Sequence, residues 1–547
     1  MHILRPLLLT SMMLAGPEAS AEQGLPTFRL GVQTHFEQGW PTHLIDRAAD
    51  LGAVSVRDEI NWRKTETTKG IYDFSVADQY IEPLIEAGIK PFIVFTGRNP
   101  LYDGGQTPYS DEGIAGLANF ISAIYTHYGA ENLTVEIGNE VNSDDFVTGP
   151  FAEDKPGNLA AVVRAVDEKL AQDNPGAEIV CTGLNTIAME FYRDFFRAGG
   201  LLACDGISFH PYRDFPETLR VEIDRLKDLM QLFGGEKPLY ATEFGIWLDD
   251  PEDAPDYMSK MVIELASAGV REAHWYALTD EPWWPNMGLL EEDGSTEKPA
   301  ADAFRFLQET LLPLGRPVLR SDLPSVRVFE FGSDSKAYAV WGVGGRLKVD
   351  GAAEFFDTRG RPIDRVEVLT ETPIYVIGDN IEVTVASAGV VADSLYQFNQ
   401  SPWSYLVLRA GKSLRPLEII DWEWTSYRGS PDLAPLAVRD TSITMARFHG
   451  KPYHVIERFT ANEPGMYAVE GWWKTTDDSE PSRLIIRHNR NIVAEAPKLS
   501  SDPYDLDHFE LILEAGDVID FELVPTGPSG DSSVRRRIQV LRLSAEE

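Results

Sequence analysis

The chain has 547 residues, more than one domain organises around a single core. Hydrophobic residues make up 43% and charged residues 25%, the balance of an ordinary globular protein, which excludes long disordered tracts. A net charge of −37 excludes nucleic acid and anionic membranes as partners.

Residues 1–21 have the layout of a secretory signal. Arg5 supplies the positive start, Leu7–Gly16 a short apolar core, and Ala19-Ser20-Ala21 the small residues before a cut after Ala21. That run is too short to span a bilayer, and no later apolar stretch is long enough. The expectation is an exported protein, periplasmic or extracellular, without membrane insertion. Its two cysteines, Cys181 and Cys204, suit either a bridge or two buried thiols, because spacing does not decide geometry. No Cys/His cluster has metal-ligand spacing, so neither metal nor cofactor is expected.

Eight strand-like segments follow, each succeeded by a helical pattern: Phe28–Phe36, Val54–Trp62, Pro91–Thr96, Leu133–Glu140, Glu178–Leu184, Gly206–Tyr212, Pro238–Phe244 and Glu272–Leu278. Their spacing of roughly 35 residues is that of a parallel strand plus its return helix. The helices carry the matching period, with Ile114, Leu117, Ile121, Ile124, Tyr125 and Tyr128 on one face, and similar faces over Leu159–Leu170 and Val221–Leu232. Eight such units predict a closed (β/α)₈ TIM barrel over 22–314, ended by a helix from Ala300 to about Leu312. From Val326 the pattern turns to short alternating runs. Val326–Phe331, Ala337–Val343, Arg365–Leu369, Ile374–Ile377 and Ile381–Val385 predict a small antiparallel β-domain over 315–393. Tyr467–Trp473, Phe509–Leu513 and Val518–Val524 predict a C-terminal jelly-roll-like β-sandwich over 394–547. Trp422, Trp424, Trp472 and Trp473 are its candidate carbohydrate-binding rings; a stabilising role is the alternative.

In such a barrel the C-terminal strand ends face the active site. Here they offer His35, Arg57, Asn99, Asn139-Glu140, Asn185, His210 with Tyr212, Glu243 and Trp275, with Trp247, Trp283 and Trp284 in the following loops. Carboxylates, hydrogen-bonding groups and rings together suit a sugar. Rival chemistries fit less well. Lys90 and Lys237 stand at strand beginnings, away from the mouth, which disfavours a Schiff base. His35 and His210 lie on separate strands, unlike clustered metal ligands. The loop Thr279–Trp284 is acidic and aromatic, not glycine-rich as a phosphate site requires. Glu136 and Asp58 are expected to be structural, and the strong negative charge favours a neutral or amino sugar.

Asn139-Glu140 ending the fourth strand and Glu243 ending the seventh resemble the large clan of retaining glycoside hydrolases built on (β/α)₈ barrels. Within it the chain looks most like family 39, and several stretches resemble its bacterial members that hydrolyse exopolysaccharide: G-V-Q-T-H-F (31–36), V-R-D-E-I-N-W (56–62), K-G-I-Y-D-F (69–74) and Y-D-G-G-Q-T-P-Y-S-D-E (102–112). The resemblance covers roughly residues 28–312. It implies that Glu140 is the general acid/base, Glu243 the nucleophile, and Asn139 the partner of the sugar 2-hydroxyl. Arg57, His210, Tyr212 and Trp275 match further clan positions. One departure is Gly138, where many clan members carry Trp. The implied reaction is double displacement on a polysaccharide, with carboxyl groups about 5–5.5 Å apart. An exo-acting enzyme of the β-xylosidase type and a non-catalytic polysaccharide-binding protein are the alternatives.

Overall fold

The structure, a computed structural model, describes residues 27–543 apart from residues 96, 322, 333–336, 410–411, 449, 477–478 and 528–531. The signal-like segment 1–21 lies outside the described residues. Eight parallel strands close into a barrel: β1 (Arg29–Gln33), β2 (Ser55–Glu59), β3 (Lys90–Phe95), β4 (Thr134–Ile137), β5 (Ile179–Asn185), β6 (Gly206–His210), β7 (Leu239–Phe244) and β8 (Val270–Trp275). The ring closes where Leu30 of β1 pairs with Ala273 of β8.

The strands are buried on both faces, as a parallel sheet inside a helix layer must be. Inside, Phe92, Val180 and Tyr240 form an apolar layer drawn from the alternate strands β3, β5 and β7. On β1, Gly31 leaves no room for a side chain: an added Cβ would lie 2.3 Å from Ser55 Oγ. Outside, helices bury the apolar stripe that their period predicts. Asp111–Tyr128 starts at Ser110, whose side chain accepts from Gly113 N, and stops at Gly129 with φ 88°. Lys155–Asp173 and Leu219–Phe233 pack likewise. Among the described residues no helix is long and apolar enough to cross a membrane.

Beyond the barrel, a six-stranded sheet and a two-stranded sheet enclose a small core that includes Val340, Leu347 and Val376. The strand expected over Arg365–Leu369 is absent; Val368 makes only a lone bridge to Arg346, and the nearest strand is Pro362–Ile363. Two large antiparallel sheets then share one core containing Phe459, Tyr467, Trp473, Phe521 and Ile538, the sandwich that the alternation predicted. Trp473 points inward, so of the adjacent pair only Trp472 can meet a ligand.

The sandwich leans on the barrel's C-terminal face. Asp421 pairs with Arg193 and Arg225, Thr186 donates to the carbonyl of Trp424, and Arg535 lies 2.5 Å from Asp214. Buried Glu217 ties the barrel to the six-stranded sheet by accepting from Lys260 and from the indole N–H of Trp341.

Candidate active site

β4 ends in a turn that its sequence makes possible. Gly138 has φ 102°, and a Cβ there would lie 2.9 Å from the carbonyl of Thr182, so the position accepts only glycine without a shift. The Trp that clan members carry does not fit this backbone. Glu140 itself is held at φ 46°, a sparsely populated conformation for a glutamate, by its N–H donating to Gly183 O at 2.6 Å. Its side chain accepts from Asn185 Nδ2 at 2.9 Å, and His210 Nδ1 lies 3.3 Å away.

Glu243, the penultimate residue of β7, faces it. Arg57 Nη1 donates to Glu243 Oε1 at 2.6 Å and Tyr212 donates to Oε2 at 2.9 Å. His210 Nδ1 stands 3.6 Å from Oε2, between the two carboxylates. One oxygen of Glu140, one of Glu243 and a ring nitrogen of His210 all lie within 4.8 Å of one another.

Arg57 is the organising cation. Beyond Glu243 it donates to Glu136 at 2.8 Å, to Gln33 at 2.8 Å and to Asn139 Oδ1 at 2.8 Å. Asn139 is thereby oriented with its NH₂ group left for a ligand. Glu136 also accepts from Thr242, which pins the underside of the site. Burial alone would pull the Arg57 guanidinium down, yet Glu136 and Glu243 outweigh it and the net shift is upward. For Glu243 burial pushes up, but His210, Arg57 and the hydrogen bonds from Tyr212 and Arg57 win, so its carboxyl is held below the ordinary range. Tyr212, buried against that negative charge, is pushed well above a phenol's usual value and stays a donor.

These groups line a cavity of about 740 Å³. Of the sequence candidates, His35, Arg57, Asn139, Glu140, Asn185, Tyr212, Glu243, Trp247 and Trp284 line it. His210 is buried behind the wall and touches both glutamates from there. His35 lies 2.6 Å from Glu281; burial lowers its affinity for a proton, but Glu281 more than compensates. Asp58 supports the loop after β1, accepting from the backbone N–H groups of Phe36 and Glu59. Asn99 likewise braces a loop through the carbonyls of Trp62 and Glu66.

Two candidates need correction. Trp275 is wholly buried on the outer side of the barrel, donating to Met287 O at 2.8 Å and packing edge-on against Phe244. Successive strand residues point to opposite faces, and it is the next residue, Tyr276, that enters the cavity. Trp283 is 83% exposed and off the cavity; its neighbour Trp284 lines the rim instead. Trp275 is a displacement by one position, and of the adjacent candidates Trp283 and Trp284 only the second lines the cavity. Gln33, Arg213 and Asp214 also line the wall and carried no signal in the sequence beyond their nearness to strand ends.

The Glu140–His210–Glu243 set brings three atoms of metal-ligating type together. Arg57 and Tyr212 already take both oxygens of Glu243, so the positive charge that this carboxylate needs is supplied by the chain itself.

No family model and no curated protein matches the sequence. Solved structures resemble the fold at low identity. A monomeric β-xylosidase from Caulobacter crescentus CB15 aligns over 95% of this chain and 97% of its own, at 13% identity and a TM-score of 0.46. An enzyme of glycoside hydrolase family 39 from Xanthomonas axonopodis pv. citri aligns over 92% and 96%, at 14% identity and 0.45. An exo-β-1,4-mannosidase from Opitutaceae bacterium strain TAV5 aligns over 52% of this chain, at 20% identity and 0.43; the match spans only 60% of the mannosidase.

Proposed function

We propose that this chain is an exported retaining O-glycoside hydrolase that cleaves a polysaccharide by double displacement. The observation that carries this reading is the approach of Glu140 and Glu243 to within 4.8 Å across a cavity. Retaining enzymes hold their carboxyl groups about 5–5.5 Å apart, whereas inverting ones need roughly 6.5–9.5 Å to admit a water.

The two glutamates have different surroundings, and the mechanism needs that difference. Glu243, ionised and gripped by Arg57 and Tyr212, attacks the anomeric carbon. Glu140 delivers a proton to the departing glycosidic oxygen, and the bond to that oxygen breaks. Glu140 then takes a proton from water, which attacks the anomeric carbon and releases Glu243. Asn139, fixed through its carbonyl by Arg57, turns its amide donors to the sugar hydroxyl beside the reacting carbon. Trp247 and Trp284 on the rim offer faces for stacking.

A cavity larger than one sugar ring supports internal cleavage of a chain, in keeping with the resemblance to exopolysaccharide hydrolases. Export is supported by the signal-like residues 1–21 and by the bridge between Cys181 and Cys204, a pairing that persists in oxidising compartments. The test is trapping with a panel of activated 2-deoxy-2-fluoro glycosides. A label on the peptide bearing Glu243 is expected; a label elsewhere, or none with any sugar, would refute the assignment. Medium-length early products from a polysaccharide would establish internal cleavage, and monosaccharide alone would overturn it.

A further inference from the structure

A second cavity, of about 410 Å³, adjoins the catalytic one and shares Glu59 and Val94 with it as a common wall. It lies over the loops that follow β2 and β3. Two arginines line it, Arg63 in the short helix Trp62–Thr65 that follows β2 and Arg98 in the loop after β3.

These two differ from the other arginines of the barrel. Arg29, Arg47, Arg57, Arg193, Arg197, Arg213, Arg225 and Arg305 each pair with a carboxylate. Arg164 and Arg220 donate to a carbonyl and a hydroxyl, and Arg271 lies over the ring of Tyr240. Among the described residues of the barrel, only Arg63 and Arg98 have no such partner, and both open onto this one cavity. In a chain with a net charge of −37, carboxylates to pair with are plentiful. Leaving two guanidinium groups unpaired in one cleft is therefore informative.

We propose that the Arg63–Arg98 cavity is a subsite for an anionic sugar of the bound polysaccharide, one bearing a carboxylate or an ester sulfate. The proposal rests on the glycosidase reading of the adjoining site and names its substrate class. A chain leaving the catalytic cavity passes over Glu59 and Val94 and meets the two arginines. Guanidinium groups present paired N–H donors that match the oxygens of a carboxylate or sulfate, and such bonds are stronger than neutral ones. The chain's net negative charge acts weakly at this cavity. Charges farther than about 8 Å are largely screened at physiological ionic strength, so the nearest groups set the field. Glu59 is the one acidic residue on this cavity's wall, and burial together with Asp58 and Glu37 pushes its carboxyl toward the uncharged form.

The test is affinity electrophoresis of the full chain carrying Glu243→Gln, which prevents hydrolysis during the run. The gels contain polygalacturonate, alginate, hyaluronan or dextran sulfate, with neutral dextran and xyloglucan for comparison. At least one acidic polymer is expected to retard the protein. Adding Arg63→Gln and Arg98→Gln should weaken that binding about ten-fold, while Arg490→Gln, an arginine of the sandwich, should leave it unchanged. Which acidic polymers retard the protein separates carboxylate from sulfate. Retardation by neutral polymers alone, by no acidic polymer, or undiminished in the double variant would overturn the subsite. Equal weakening by Arg490→Gln would do so too. Both arginines are exposed and without partners, so the double variant should melt with the parent. The catalytic reading fails separately: a fluorinated monosaccharide is too short to reach the second cavity. Labelling of Glu243 without acidic binding would sink the subsite alone, and acidic binding without labelling would sink the catalytic assignment alone.

Discussion

Arg57 and Glu243 stand 186 residues apart in the chain and 2.6 Å apart in the fold. Burial pushes the Glu243 carboxyl up, and His210 and then Arg57 oppose that push and hold it below the ordinary range. Replacing Arg57 by Gln should reduce kcat by about 10²–10³, the scale on which removing one preorganised electrostatic partner acts. It should also move the acid limb of kcat/KM to higher pH. In the parent that limb is expected on the acid side of an ordinary glutamate's, since Glu243 is depressed. The stability sign is the same. A depressed carboxylate contributes stability that is present above its unfolded pKa and lost as pH falls through the folded value, so melting temperatures of parent and variant should converge as the pH falls through that value. An unmoved acid limb in the variant would contradict this.

Glu140 and Glu243 should fail differently. Glu243→Gln is expected to abolish turnover of every substrate. Glu140→Ala should lose most activity on polysaccharide but retain the first step on aryl glycosides whose leaving group needs no proton. With those substrates added azide should raise turnover and yield a glycosyl azide of retained configuration, read by NMR. An inverted product would contradict the retaining geometry.

Adjacent residues on β8 and just beyond it should separate stability from binding. Trp275→Ala empties a buried site and should cost about 3–5 kcal/mol, measured by denaturant unfolding. Tyr276→Phe removes only a hydroxyl that reaches Glu281 and His35 at the cavity wall. It should raise KM with little change in melting temperature.

Gly138→Ala tests the turn that presents Glu140. The added methyl meets Thr182 O at 2.9 Å in a backbone with φ 102°. A loss of about 1–3 kcal/mol in stability is expected, with a larger proportional loss of kcat than of substrate affinity, because the proton donor is displaced.

The bridge between Cys181 on β5 and Cys204, before β6, closes a loop with a sequence separation of 23. The double Cys→Ala variant should lose about 2–4 kcal/mol against chemical denaturation. Reductant should lower the parent's stability and leave the variant's unchanged.

The barrel was legible in the chain because its periods are local. Strand alternation, a 3.6-residue helical stripe and a repeat of roughly 35 residues each follow from backbone geometry, whatever lies elsewhere. The two glutamates were legible for the same reason: each ends a strand, and the closed barrel puts strand ends at one mouth. Short segments were less so. Arg365–Leu369 alternates like a strand yet makes a single bridge, because a strand also needs a partner edge, which no local pattern encodes. The side-chain direction of Trp275 and the choice between Trp283 and Trp284 each turned on one residue of register, set by how β8 and its following loop pack.

By itself, the amino-acid order determined a (β/α)₈ barrel, two β-rich regions after it, and the placement of Glu140 and Glu243 at strand ends. Only the folded chain decided what surrounds them: that Arg57 grips Glu243 instead of a neighbour on its own strand, that His210 sits between both acids, that Cys181 and Cys204 are joined, and that Arg63 and Arg98 share one cleft. These are contacts between segments tens to hundreds of residues apart. Coulomb attraction, desolvation and steric exclusion act on distance in space, and distance along the chain does not report it.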